Sequence, residues 1–276
     1  MSATQKAIKA KRTSPATKSK RPTPIPVGGV IEEPLTYQKF GTFNGMLYVL
    51  YKGRFAGINS AREDYSVPYE IVAPVQYAGK DGRLVVEPPH SIDRLIVRDG
   101  YLTEFLFERR YSHAAVGFAF DRNNILDPEP GFDIRIKGQP YDPQQPVDDL
   151  EIIAHFADAL RRNPHGLTSH VRYVYSAGIS EAGYVVRTVL LRYRPTAFDL
   201  SFPSLAPVED DYEPPEGVGK IIIFNSEWDF NTKNVPSNDK AFPFHRFYAV
   251  AGAPHIPDTL KTRLVFPGPP PLPPIA

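Results

Sequence analysis

The sequence predicts an α/β fold, a mostly parallel doubly wound sheet with an antiparallel N-terminal edge. Three observations predict it. Runs of β-branched and aromatic residues recur along the chain, clearest at residues 83–87, 171–175 and 220–225, and read as buried strands. Helical patterns fall between several of them, so right-handed crossovers and parallel pairing are the expected connections. Two early runs, 45–51 and 69–75, have no helical pattern between them and are expected to pair antiparallel.

Each element can be justified in order. Gly45–Tyr51 and Tyr69–Val75 are the early strands, with Pro74 placing the second at an edge or at its own end. Arg83–Glu87 is a short buried strand stopped by Pro88-Pro89-His90. A helix is expected around Gly100–Arg110, then a strand over His113–Phe120. Asp121–Pro146 is irregular and rich in Pro and Gly. Val147–Arg162 reads as a helix: Asp148 and Asp149 at its start, an apolar stripe of Leu150, Ile153, Phe156 and Leu160, and Arg161-Arg162 at the C-terminal dipole. Lys220–Asn225 and Phe247–Gly252 are the last strands, while Arg192–Gly219 carries no readable motif.

Composition bounds the rest. A chain of 276 residues, 42% hydrophobic and 23% charged, suffices for one large domain with a sizeable core. A net charge of +1 supplies no global field for nucleic acid or an anionic membrane. With no cysteine, disulfides, thiolate metal sites and a cysteine nucleophile are excluded. Residues 1–29 carry Lys6, Lys9, Lys11, Arg12, Lys18, Lys20 and Arg21 among Ser, Thr, Ala and Pro, with no acid before Glu32; this tail is expected to be disordered. Residues 266–276 form a proline-rich tail, which leaves 30–265 as the folded domain. No secretory signal or membrane-spanning segment is visible, and a cytoplasmic location is expected.

The most informative stretch is Val171–Leu190: a strand, a tight turn Gly178-Ile-Ser-Glu-Ala-Gly183, then an apolar helix. A serine on such a turn, with small residues on both sides, has the geometry of a nucleophile elbow. The turn lifts Ser180 above the sheet beside the helix N-terminus, whose backbone N–H groups favour developing negative charge. The structural alternative is that Ser180 caps the helix. Acyl transfer also needs a base and an acid to orient it. After Lys220–Asn225 the chain offers Glu227 and Asp229, with Glu227 favoured and Asp229 in reserve. After Phe247–Gly252 comes His255, in a loop flanked by Pro254 and Pro257. Serine, then acid, then histidine is the chain order of one known triad arrangement. His245, before the last strand, reads as structural, and His113, His155, His165 and His170 are scattered.

These residues bring a resemblance into view. The chain resembles a poorly characterised α/β-hydrolase domain family whose elbow usually reads Gly-Tyr-Ser-Gln-Ser-Gly-Arg-Phe-Leu-Arg-Thr. Here the corresponding run is Gly178-Ile-Ser-Glu-Ala-Gly-Tyr-Val-Val-Arg-Thr188, in step at Gly178, Ser180, Gly183, Arg187 and Thr188. Ser226-Glu-Trp-Asp229 is similar to the family's acid motif, Ala251-Gly-Ala-Pro-His255 to its histidine motif, and Leu84-Val-Val-Glu-Pro88 to part of its opening; coverage runs from about residue 34 to 260. The resemblance implies an α/β-hydrolase fold and, with the serine–acid–histidine order, a serine hydrolase acting on a small-molecule ester. No histidine–carboxylate cluster has metal-ligand spacing, so neither metal nor organic cofactor is expected. The second oxyanion donor, beside the Glu181 backbone N–H, is expected from His90 or Ser91. Family members run longer between elbow and acid and carry a helix after the histidine. The alternative is therefore a hydrolase-fold binding or structural protein that has lost the chemistry.

Overall fold

The two early apolar runs become the long antiparallel pair that opens the sheet. The computed structural model describes residues 28–32, 37–43, 46–74, 82–89, 103–118, 135–136, 139–140, 149–162, 171–206, 215–226 and 243–250. In chain order these form β1 (Gly28–Ile31), β2 (Tyr37–Phe43), β3 (Met46–Ile58), β4 (Asp64–Pro74), β5 (Arg83–Val86), α1 (Thr103–Glu108), β6 (Ser112–Val116), β7 (Arg135–Ile136), β8 (Gln139–Pro140), α2 (Glu151–Arg161), β9 (Tyr173–Ile179), α3 (Glu181–Tyr193), β10 (Leu200–Ser204), β11 (Lys220–Ser226) and β12 (His245–Val250). The strand order is β1-β3-β4-β6-β5-β9-β10-β11-β12, with β2 beside β3 and the short β7-β8 pair beside β4. β1, β2 and β4 pair antiparallel with β3, and β4 meets β6 antiparallel. From β6 through β5, β9, β10 and β11 to β12 every pairing is parallel.

Two prolines show how β4 fits. Pro74 is its last residue, and β4 is an interior strand rather than an edge. Pro68 lies within the strand, where a missing N–H normally breaks a ladder. The Pro68 carbonyl accepts from the Gly117 N–H at 2.9 Å, and a residue's N and O face the same side of its strand. The missing donor therefore faces Gly117, just beyond Tyr69–Val116 at the end of the β4–β6 ladder, so only the one reciprocal bond of that pair is forgone.

Strand alternation sorts the core. Leu84 and Val86 of β5, Val174 of β9, and Ile221 and Ile223 of β11 share one buried cluster with α2 and α3. The α2 stripe of Ile152, Ile153, Phe156, Ala157 and Leu160 is buried in it. Phe156 meets the edge of Phe55 at 5.2 Å between centroids, which ties α2 to the antiparallel strands. Each large side chain so buried stabilises by roughly 1.5–3 kcal/mol. On the other face, Val85, Ala177 and Leu106 of α1 form a smaller cluster with Tyr111, Tyr175 and Phe202 against it.

The Asp199 carboxylate fixes the parallel register. It accepts from Arg161 at 2.6 Å and from the Val174 backbone N–H at 2.8 Å, joining the end of α2 to the starts of β9 and β10. Arg161 also donates to the Ala197 carbonyl.

Some expectations need correction. α2 begins at Glu151, not Val147, and Asp149 does not cap it: the Asp149 carboxylate accepts from Asn59 Nδ2 at 3.1 Å. β6 ends at Val116, short of Phe120, and β12 starts at His245, which opens the last strand instead of preceding it. The unread stretch Arg192–Gly219 contains β10, paired parallel on both sides. The irregular stretch Asp121–Pro146 holds the β7–β8 pair.

Candidate active site at the strand ends

Because β5, β6 and β9 to β12 are parallel, their carboxyl ends share one edge of the sheet, where ligands of such sheets bind. Ser180 is the single residue between β9 and α3. Its backbone sits at φ 59°, ψ −121°, a region that non-glycine residues occupy only when their surroundings enforce it. The Ser180 N–H donates to the Ser204 carbonyl at 2.9 Å, and its own carbonyl accepts the first helical bond, from the Tyr184 N–H at 3.0 Å. The Ser180 side chain makes no capping hydrogen bond to α3, so the cap reading does not describe it.

Crowding of backbone explains the enforcement. A Cβ on Gly178 would overlap the Ala182 carbonyl, and one on Gly183 would overlap the Ser204 carbonyl and press on Gly178. β9, α3 and β10 thus approach more closely than any side chain allows at these two positions. Ala182, the second residue of α3, is buried beside this contact. The neighbouring exit of β10 is also bent, with Leu205 at φ 51° and its N–H bonded to the Phe224 carbonyl at 2.8 Å. Ser204 and Leu205 escape sequence reasoning because nothing in Phe202-Pro-Ser-Leu205 marks a strand end.

The sheet is mostly parallel, with α2 and α3 between its parallel strands and an antiparallel N-terminal edge. No family model matches the chain, and no curated protein does. Among solved structures it is similar to a brefeldin A esterase, a bacterial homologue of human hormone-sensitive lipase, with 11% identity, 78% of this chain and 74% of that chain covered, and a TM-score of 0.43. It is similar to a thermostable esterase at 13% identity, with 78% and 68% covered and a TM-score of 0.40. A siderophore hydrolase from Aspergillus nidulans gives 14% identity, 74% and 89% covered, and a TM-score of 0.40.

The remaining expected site residues lie outside the described residues: Glu227, Asp229, His255, His90 and Ser91. The strands that lead to them are in place. β11 ends at Ser226, immediately before Glu227, β12 ends at Val250 ahead of His255, and β5 ends at Val86 ahead of His90 and Ser91. Asn225 and Ser226 are fully buried, and Asn225 Nδ2 donates to the Ala206 carbonyl at 2.9 Å, which fixes the end of β11 against the exit of β10. Glu181, whose N–H is an expected oxyanion donor, is the first residue of α3.

A second polar pair lies on the same edge and was not singled out from the sequence. Glu87 follows β5 directly, and its Oε2 is 2.8 Å from Nε2 of His113 in β6; both side chains are buried. His113 read as merely scattered, since only the parallel pairing of β5 and β6 brings it to Glu87. Away from this edge, burial raises the Asp149 carboxyl from 3.8 to about 6, opposed by the Asn59 hydrogen bond and helped by Glu151 and Glu63. Among the described residues no cluster of three or more His, Cys, Asp or Glu could hold a metal ion, and no helix is long and apolar enough to cross a membrane.

Proposed function

We propose that the chain is a serine hydrolase acting on small carboxylic esters through an acyl-enzyme. The observation that carries this reading is the backbone of Ser180, held at φ 59°, ψ −121° between β9 and α3. Such strain persists only where the surroundings over-determine it, and it clusters at functional sites. A relaxed turn would serve the fold alone equally well, so a serine in this conformation is better explained by what its hydroxyl must reach.

Ser180 Oγ attacks the acyl carbon while His255 takes its proton, forming a tetrahedral oxyanion. The backbone N–H of Glu181 and one from His90 or Ser91 receive that charge; one such donor is worth about 10²–10³ in rate. The ester C–O bond then breaks, His255 returns the proton to the leaving alcohol, and the acyl group stays on Ser180. Water repeats the sequence with His255 as base, releasing the carboxylic acid and restoring the serine. Glu227 orients His255, with Asp229 as the reserve acid.

The test is labelling by a fluorescent fluorophosphonate. The wild type is expected to label and Ser180→Ala to stay dark while keeping its far-UV circular dichroism. Equal labelling of the variant would remove Ser180 from the reading. A folded wild type that does not label would instead favour a hydrolase-fold binding protein.

A further inference from the structure

The buried pair at the end of β5 has no account in the fold. Glu87 is 7% exposed and His113 is fully buried. Their contact, Oε2 to Nε2 at 2.8 Å, is not aligned as a hydrogen bond, and His113 Nδ1 has no hydrogen-bond partner among the described residues. A buried polar pair offsets its desolvation only with good geometry and satisfied remaining atoms. This one has neither, so apolar packing in its place would hold the strands at least as well. Stability does not explain why these groups are here.

Their position does. Glu87 is the first residue beyond β5, and its backbone N–H donates to the Ala114 carbonyl of β6 at 2.9 Å. Pro88, buried, and Pro89 follow at once, so the direction in which the chain leaves β5 is set at Glu87 with little freedom left. On its other side β5 pairs with β9, Val86 opposite Ser176, four residues before Ser180. The backbone contact and the side-chain contact to β6 therefore clamp the exit of β5 beside the strand that carries Ser180.

We propose that Glu87 and His113 are positioning residues, which fix the path of the chain at Pro88–Pro89 relative to the Ser180 turn. This rests on the hydrolase reading above, in which the segment after β5 supplies an oxyanion donor. Small errors of placement are costly in such a site, with about a hundredfold in rate lost for a displacement near 1 Å.

Glu87→Leu/His113→Leu and Glu87→Gln separate position from stability. Hydrolysis of p-nitrophenyl acetate, the rate of fluorophosphonate labelling and Tm are measured for both and for the wild type. The double variant is expected to fold with a Tm no lower than the wild type, to lose at least about tenfold in kcat with KM within about twofold, and to label correspondingly slowly. Glu87→Gln, which keeps an acceptor for His113, is expected to recover part of kcat. Unchanged kcat in a folded double variant overturns the proposal, as does failure of both variants to fold, since the pair would then serve the fold. A wild type that neither labels nor turns over overturns the hydrolase reading itself, and the positioning role with it.

Discussion

Two of the turns that hold a non-glycine residue at positive φ are enforced differently. In the β3–β4 hairpin it is Arg62, at φ 65°. Its conformation is held by local hydrogen bonds: Arg62 N–H to the Asn59 carbonyl, Asn59 N–H to the Glu63 carbonyl, and Glu63 N–H to Asn59 Oδ1. The hairpin then docks on the start of α2 through Asn59 to Asp149 and through the Ser60 N–H to Glu151. In the β9–α3 turn the residue is Ser180, and what holds it is contact of backbone with backbone at Gly178 and Gly183. The first turn depends on side-chain chemistry and should respond to pH. The second depends on shape and should respond only to bulk.

The largest effect expected from this contrast is at Gly183. Gly183→Val drives side-chain carbons into the Ser204 carbonyl, with no flexible atom to move aside. A loss of about 3 kcal/mol or more is expected, at the upper end for overpacking, read as a lower urea midpoint together with lost fluorophosphonate labelling. A Gly183→Val variant that keeps both would mean that β10 can retreat from α3 and that backbone crowding does not enforce the turn.

The hairpin side is tested by pH. Burial raises the Asp149 carboxyl to about 6, so the folded chain keeps this proton over a range in which the unfolded chain has lost it. Stability from this group therefore falls as pH rises from about 4 to 6 and stays lower above that range. Asp149→Asn remains neutral and can still hydrogen bond to Asn59. It is expected to raise stability above pH 6 by on the order of 2 kcal/mol and to change little at pH 4. Urea midpoints at pH 4, 6 and 8 check this, and a gain equal at all three values would assign the effect to packing instead of charge. Ser180 has no part in that titration.

The smallest effect is a gain. Ser180→Gly removes the Cβ from a strained φ, ψ pair and is expected to stabilise by about 1 kcal/mol, the low end of the range for such strain, while abolishing labelling. Ser180→Ala keeps the strain and should leave the urea midpoint near that of the wild type. A stabilised glycine variant beside an unmoved alanine variant would place the strain in the backbone.

Much of the frame is legible locally. The order strand, turn, helix around Ser180 is legible, because a β-branched run, small turn residues and an apolar helical stretch are each readable within a few positions. The turn expected over Gly178–Gly183 narrows to Ser180, since β9 runs to Ile179 and α3 starts at Glu181. The α2 stripe and β11 are legible for the same reason. β10 is not: five residues with Pro203 among them carry too little β signal, and its strand character comes from β9 and β11 on either side. Pro68 hides that β4 is interior, since its missing N–H forgoes only the one bond at the end of the β4–β6 ladder.

The sequence by itself determined which residues could form a strand, a tight turn and a helix around Ser180, because those preferences act between neighbours in the chain. Only the tertiary structure decided the φ of Ser180, the overlap that excludes a Cβ at Gly183, and the meeting of Glu87 with His113. Each depends on a strand brought alongside by a crossover connection, and parallel pairing joins residues that no local window contains.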